Sequence, residues 1–77
     1  MMYYLVERNK EKNDVYSQLV TRYDDLTAAS IAFHQSAAYA MSNENVLSMG
    51  RVILDETMMP VVPMQIQVWE RPQETQA

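Results

Sequence analysis

Two segments near the N-terminus alternate apolar and polar residues with a period of two, as half-buried β-strands do. They span residues 2–8 and 15–23. The residues between them, 9–14, are all polar and include two Asn and one Asp, a composition typical of turns. The pattern therefore predicts a β-hairpin at the start of the chain.

The middle of the chain changes to a helical period. Asp24 is predicted to be the N-cap, because its carboxylate can accept hydrogen bonds from the free N–H groups of the first turn. The helix is expected to end near Ser42, where an asparagine within residues 42–45 offers a left-handed exit. Phe33 lies at the centre of the stripe that should face a sheet, which consists of Leu26, Ala29, Phe33, Ala37, Ala40 and Met41.

Two further strands are predicted after the helix. The first, residues 46–55, contains Gly50, which is expected to mark a bulge or a close approach of the helix to the sheet. The second, residues 63–69, begins at a proline, which suits a strand start or an edge. Its alternation predicts that Met64, Ile66 and Val68 point inward and that Gln65, Gln67 and Trp69 point outward.

The resulting order ββαββ limits the topology. If the first strand lies between the second and the third, every neighbouring pair is antiparallel and the crossover is right-handed. The prediction is an α+β fold with a four-stranded antiparallel sheet in the order 2-1-3-4 and one helix packed on one face. Residues 1–70 form this single domain, and residues 71–77 are predicted to be a disordered polar tail.

Composition excludes several classes of function. The absence of cysteine excludes disulfides and thiolate metal sites, and one histidine excludes a site with two imidazoles. Six Lys and Arg against ten Asp and Glu give a net charge of −4, which disfavours nucleic-acid binding. No segment is apolar enough for a signal peptide or a membrane span, so a cytoplasmic protein that does not bind membranes is expected.

No catalytic, cofactor or metal site is predicted. His34 has Ser30 four residues before it, at the spacing of a helical hydrogen bond. A nucleophile–base pair would also need an orienting acid and an oxyanion site, so His34 is interpreted as a boundary residue rather than a general base. The pairs Asp24/Asp25 and Asp55/Glu56 are assigned to a helix cap and a turn, since neither has the pattern of a calcium loop. The chain is therefore expected not to be an enzyme.

The side of the helix opposite the core carries no charged residue. Between Asp25 and Glu44 there is no Lys, Arg, Asp or Glu. One interpretation is a solvent-exposed helix with a stray isoleucine. The other is that this side packs against another helix, most simply its twin in a C2 dimer. The residues that would form this interface, here called the helix outer face, are Ala28, Ile31, Gln35, Ala38 and Tyr39.

Two other groups of residues are candidates for protein contacts. Met58 and Met59 lie in a predicted loop, where flexible methionines can adapt to a partner surface or cover the open end of a small core. Trp69 and Tyr3, with Tyr16 and Leu5, are candidates for an aromatic patch on the sheet face away from the helix. Cross-strand packing on a partly exposed face is the alternative.

Several segments resemble a group of small uncharacterised phage and prophage proteins. The resemblance covers residues 4–69 and is carried by the sequences YDDL at 23–26, AFH at 32–34, AAYAM at 37–41 and VILD at 52–55. In that group a strand hairpin leads to a helix with an aromatic–histidine pair and a run of small residues, and a second hairpin follows. The final turn here, with Glu56 and Pro60, departs from the Asn-Gly or Asp-Gly turn that the group often has. The resemblance implies an origin in a mobile element and no particular activity.

These observations favour a non-enzymatic protein-interaction module. It is expected to self-associate, with a dimer favoured, or to bind a host or virion protein, and to act in the host cytoplasm if it is encoded by a phage. The alternative is a regulatory domain that binds a small ligand between helix and sheet. Such a pocket needs convergent polar groups, and the candidates are Ser30, His34, Tyr16 and Arg22.

Overall fold

A computed structural model describes residues 2–72 of the 77-residue chain. The elements follow the predicted order: β1 (Tyr3–Glu11), β2 (Val15–Tyr23), α1 (Leu26–Ser42), β3 (Val46–Leu54) and β4 (Pro60–Glu70). All neighbouring strands are antiparallel, and the sheet order is β2-β1-β3-β4 with the helix on one face. This confirms the α+β fold and the 2-1-3-4 topology. No helix within residues 2–72 is long and apolar enough to cross a membrane.

The first hairpin is longer than its hydrophobic pattern indicates. β1 and β2 pair without interruption over nine residues, from Tyr3 opposite Tyr23 to Glu11 opposite Val15. β1 continues three residues past the predicted end, because its polar end also pairs with the start of β3. The turn is a short 3₁₀ segment, Lys12–Asp14, in which Asn13 has a left-handed φ of 66° that asparagine tolerates well.

The helix begins one residue later than predicted. Asp25, not Asp24, is the N-cap, and its Oδ1 accepts a hydrogen bond of 2.9 Å from the backbone N–H of Thr27. The helix ends at Ser42 as expected. The predicted left-handed conformation at the end of the helix is wrong. The C-cap, Asn43, has an extended backbone with φ −90° and donates its N–H to the carbonyl of Tyr39.

The core lies between the helix and the strands β1 and β3. Phe33 points inward as predicted and packs with Leu5, Ala29 and Ile53, while a second cluster contains Ala37, Ala40, Val46 and Met49. Met41, expected on the buried stripe, is exposed. It lies about 80° around the helix from Phe33 at ~100° per residue, too far to point at the sheet.

A β-bulge changes which residues of β4 face the core. Met49 pairs with Trp69 and Arg51 with Ile66, so two steps along β3 correspond to three steps along β4. The extra residue reverses the predicted alternation. Trp69 therefore packs against the second core cluster and Val68 is exposed, the opposite of the prediction. Gly50 lies opposite this bulge, in agreement with one of its two expected roles.

Candidate interaction surface

The helix outer face points away from the sheet. Ile31 is 53% exposed and Tyr39 is 69% exposed, and Gln35 and Ala38 are also exposed, whereas Ala28 is partly buried. The helix has neither an acidic residue in its first turn nor a basic residue in its last turn. Sequence reasoning thus located an uncharged and largely exposed surface, and the role of that surface stays a prediction.

Tyr39 and Gln35 belong to one side of this face, beside a groove between the helix and the sheet. The groove has a volume of about 380 Å³, and its floor includes Glu7, Asn9 and Arg51. It exists because the helix packs mainly on β3 and β1 and reaches β2 much less. One helix is too narrow to cover a sheet of four strands, so the β2 side of the sheet is left open.

Strand β2 consequently exposes apolar side chains on both faces of the sheet. Leu19, opposite Glu7 on the helix side, is 59% exposed, and Val15 on the same side is also exposed. On the other face Tyr16 is 70% exposed and Val20 is exposed. Leu19 and Val15 are thus exposed on the face of the sheet that carries the helix, and Tyr16 and Val20 are exposed on the opposite face.

Arg51 is a buried residue that sequence reasoning did not single out. Its side chain is 2% exposed and bridges the helix and two strands. Nε donates to the Ser36 hydroxyl at 3.0 Å, and Nη2 donates to the Ser36 carbonyl at 3.4 Å. Nη1 donates to the Asn9 side-chain oxygen at 2.9 Å and to the carbonyls of Arg8 and Gly50 at 3.0 and 2.8 Å. The guanidinium therefore connects the helix to β1 and β3.

The charge of Arg51 is balanced in part by Glu7. The Nε and Oε1 atoms are 3.8 Å apart, and the Glu7 side chain is mostly buried. Burial lowers the pKa of Arg51 from its ordinary value, and the Glu7 carboxylate raises that pKa in partial compensation. Arginine stays protonated at neutral pH even so. The cluster therefore acts as a structural ion pair beneath the groove rather than as an acid–base pair.

Arg71 is ordered, although it was assigned to the polar tail. Nε donates to the Val46 carbonyl at 2.9 Å, and Nη2 donates to the carbonyls of Met41 and Asn43 at 2.9 and 2.8 Å. The guanidinium also lies 5.2 Å from the centre of the Trp69 ring. A cation at the C-terminus of the helix satisfies carbonyls that have no partner within the helix. The domain thus extends past residue 70, and residues 73–77 of the predicted tail lie outside the described residues.

The turn between β3 and β4 presents Met58 and Met59 to solvent. Asp55 organises this turn: its Oδ1 accepts hydrogen bonds from the Thr57 hydroxyl, the Thr57 N–H and the Met59 N–H. These bonds, that of the hydroxyl most of all, lower the pKa of Asp55. The two methionines are therefore available to a partner and do not cover the end of the core. Asp55 has the turn role that the sequence predicted.

The predicted aromatic patch is wrong. Tyr3, Leu5 and Trp69 pack on the helix side of the sheet, as part of the core or against it. Tyr16 alone lies on the other face, opposite Lys10, whose ammonium is 5.9 Å from its ring centre. Tyr3 and Leu5 point to the helix side because side chains alternate along a strand, and Tyr4 and Val6 point to the other side. Trp69 points to the helix side because of the bulge in β4.

The four residues suggested for a ligand pocket do not converge. Ser30 and His34 are on the helix, whereas Tyr16 and Arg22 belong to the face of β2 that is turned away from it. His34 is exposed and meets the Phe33 ring edge-on at 5.2 Å. Within residues 2–72 no three His, Cys, Asp or Glu side chains are grouped to hold a metal ion.

No protein-family model matches the sequence, and comparisons with curated proteins and with solved structures give no match. The chain's own residues and their geometry therefore carry the functional inference.

Proposed function

We propose that this chain is a small non-enzymatic protein-interaction module that self-associates, most simply as a dimer. The observation that carries the proposal is the number of exposed apolar side chains on edge strand β2 and on the helix outer face, with Leu19, Tyr16, Ile31 and Tyr39 each more than half exposed. A short chain has a thin core, and covering such a surface by association adds apolar burial that the monomer lacks.

The charge distribution supports a protein as the partner. The 17 residues of helix α1 include no Lys, Arg, Asp or Glu, and interface cores are depleted in charge in the same way. The exposed methionines of the β3–β4 turn add a second adaptable contact. The resemblance to phage and prophage proteins favours a mobile-element origin, a host or virion protein as a further partner, and the host cytoplasm as the place of action.

Paired charge substitutions test whether these surfaces carry the association. The double variant Leu19→Lys with Ile31→Glu places a charge on each surface at positions already exposed in the monomer, so the fold should survive. Light scattering should give the wild type at twice the 8.9 kDa of one chain, and the double variant at the monomer mass. The matched control is Val62→Lys with His34→Glu, two other exposed positions, and it should keep the wild-type mass. A wild type at 8.9 kDa, or a double variant with the wild-type mass, would contradict the proposal.

A further inference from the structure

The two edges of the sheet are built differently. Edge strand β4 contains Pro60 and Pro63 and changes register with β3 in two places. Prolines and bulges are devices that prevent an edge from pairing with another chain. Edge strand β2 has neither: its nine residues pair with β1 in unbroken register and include no Pro, Gly or Lys. Within the described residues β2 pairs with β1 alone, so its other edge presents a regular row of backbone donors and acceptors.

We propose that β2 pairs antiparallel with β2 of a second copy, about a two-fold axis at Leu19, to give an eight-stranded sheet. This inference rests on the self-association proposed above and assigns it to one strand. A long, regular and apolar edge is the kind of strand that adds to another sheet. An isologous contact is the simplest closed assembly for a second copy.

The sequence of β2 is complementary to itself in this register. Leu19 is the midpoint of Val15–Tyr23, so every residue of the strand finds a partner in the copy. Leu19 faces Leu19, and no two like charges face each other within the strand. The remaining cross-strand pairs are Tyr16 with Arg22, which allows a cation–π contact, Val15 with Tyr23, Ser17 with Thr21, and Gln18 with Val20.

The pairing also places the helices. In the proposed dimer the two antiparallel β2 strands are related by a two-fold axis perpendicular to the sheet. Both helices therefore lie on the same face of the eight-stranded sheet. Tyr39 and Gln35 line the groove on the β2 side of each helix, and they therefore point towards the axis and narrow the gap above Leu19. Ile31 and Ala38 stay at the surface, which leaves the rest of the helix outer face free for a different protein.

Disulfide trapping tests the pairing directly, because the chain has no cysteine. Residues directly opposite in an antiparallel pair have Cα atoms about 4.5–5.5 Å apart, within the ~4.4–6.8 Å that a disulfide spans. Leu19→Cys should form a covalent dimer under mild oxidation. Gln18→Cys should stay monomeric on a non-reducing gel, because residue 18 faces residue 20 of the copy and not residue 18. Ile31→Cys, on the helix, should also stay monomeric. The proposal would be overturned if a control variant formed the covalent dimer and Leu19→Cys did not. It would also be overturned if none of the three variants formed one.

Single charge substitutions separate a failure of this pairing from a failure of self-association. Leu19→Lys should halve the molar mass measured by light scattering, whereas Val62→Lys, at a 79% exposed position on the other edge strand, and Ile31→Glu should leave it unchanged. A wild-type dimer that survives Leu19→Lys and dissociates with Ile31→Glu would refute the β2 pairing and leave self-association intact. A wild-type protein that is monomeric would refute both.

Discussion

Replacing Arg51 by methionine should destabilise the fold severely. Methionine fills much of the same space but donates no hydrogen bond. The substitution therefore leaves the Ser36 hydroxyl, the Asn9 side-chain oxygen and three backbone carbonyls without their buried donor. It also leaves the mostly buried Glu7 carboxylate without its counter-ion. Each of these groups was desolvated on folding, and none regains a partner from a thioether.

The magnitude follows from the cost of removing one member of a buried ion pair, about 3–5 kcal/mol. We take the lower end, about 3 kcal/mol, because the Glu7 side chain is 19% exposed and water can reach it. A domain has a free energy of unfolding of about 0.05–0.15 kcal/mol per residue, or about 4–12 kcal/mol for 77 residues. The substitution should thus remove a quarter to three quarters of the stability.

Urea unfolding followed by far-UV circular dichroism measures this loss, at one protein concentration because association contributes to stability. Arg51→Lys keeps the charge and loses the planar donor geometry. Its free energy of unfolding should therefore lie between the values of the wild type and of Arg51→Met. The control Lys12→Met, at an exposed position in the turn between β1 and β2, should stay within about 0.5 kcal/mol of the wild type. A loss below about 1 kcal/mol for Arg51→Met, or equal losses for the Lys and Met variants, would refute the role given to Arg51.

Four other substitutions test three local features of the fold. Arg71→Ala removes the cation at the helix C-terminus and should lower the free energy of unfolding by about 1–2 kcal/mol. Thermal unfolding should show this as a drop of several degrees in Tm. An unchanged Tm would argue against the capping role of Arg71. Asp25→Ala should cost about 1 kcal/mol in urea unfolding and Asp24→Ala clearly less, and the reverse order would restore Asp24 as the N-cap. The lowered pKa of Asp55 means that its carboxylate stabilises the folded state above the unfolded-state pKa of about 3.9 and that this contribution is lost as pH falls through the folded pKa. Asp55→Asn should flatten the dependence of Tm on pH below about 4, and an unaltered dependence would contradict the hydrogen bonding of the turn.

Periodicity was sufficient to predict the elements and their topology. The alternating strands and the apolar stripe centred on Phe33 depend on local patterns that tertiary packing did not override. The orientation of Trp69 and Val68 was not predictable in the same way. It depends on one extra residue opposite Gly50, and a bulge is a property of two paired strands rather than of either strand alone.

The buried cluster at Arg51 shows a second limit. The alternation of β3 places Arg51 on the same face as Met49 and Ile53, so the strand pattern did carry a signal for its burial. Its hydrogen-bond acceptors come from β1, β3 and the helix, which are far apart in the sequence. Sequence reasoning that takes one element at a time could not bring them together, and it missed the Arg71 cap for the same reason.

Sedimentation equilibrium of the wild-type chain over a wide range of concentration tests whether a second copy of the chain covers the exposed strand β2. The chain is expected to show a monomer–dimer equilibrium in which the mass approaches twice the 8.9 kDa of one chain as concentration rises. A single species of 8.9 kDa at every concentration would contradict it.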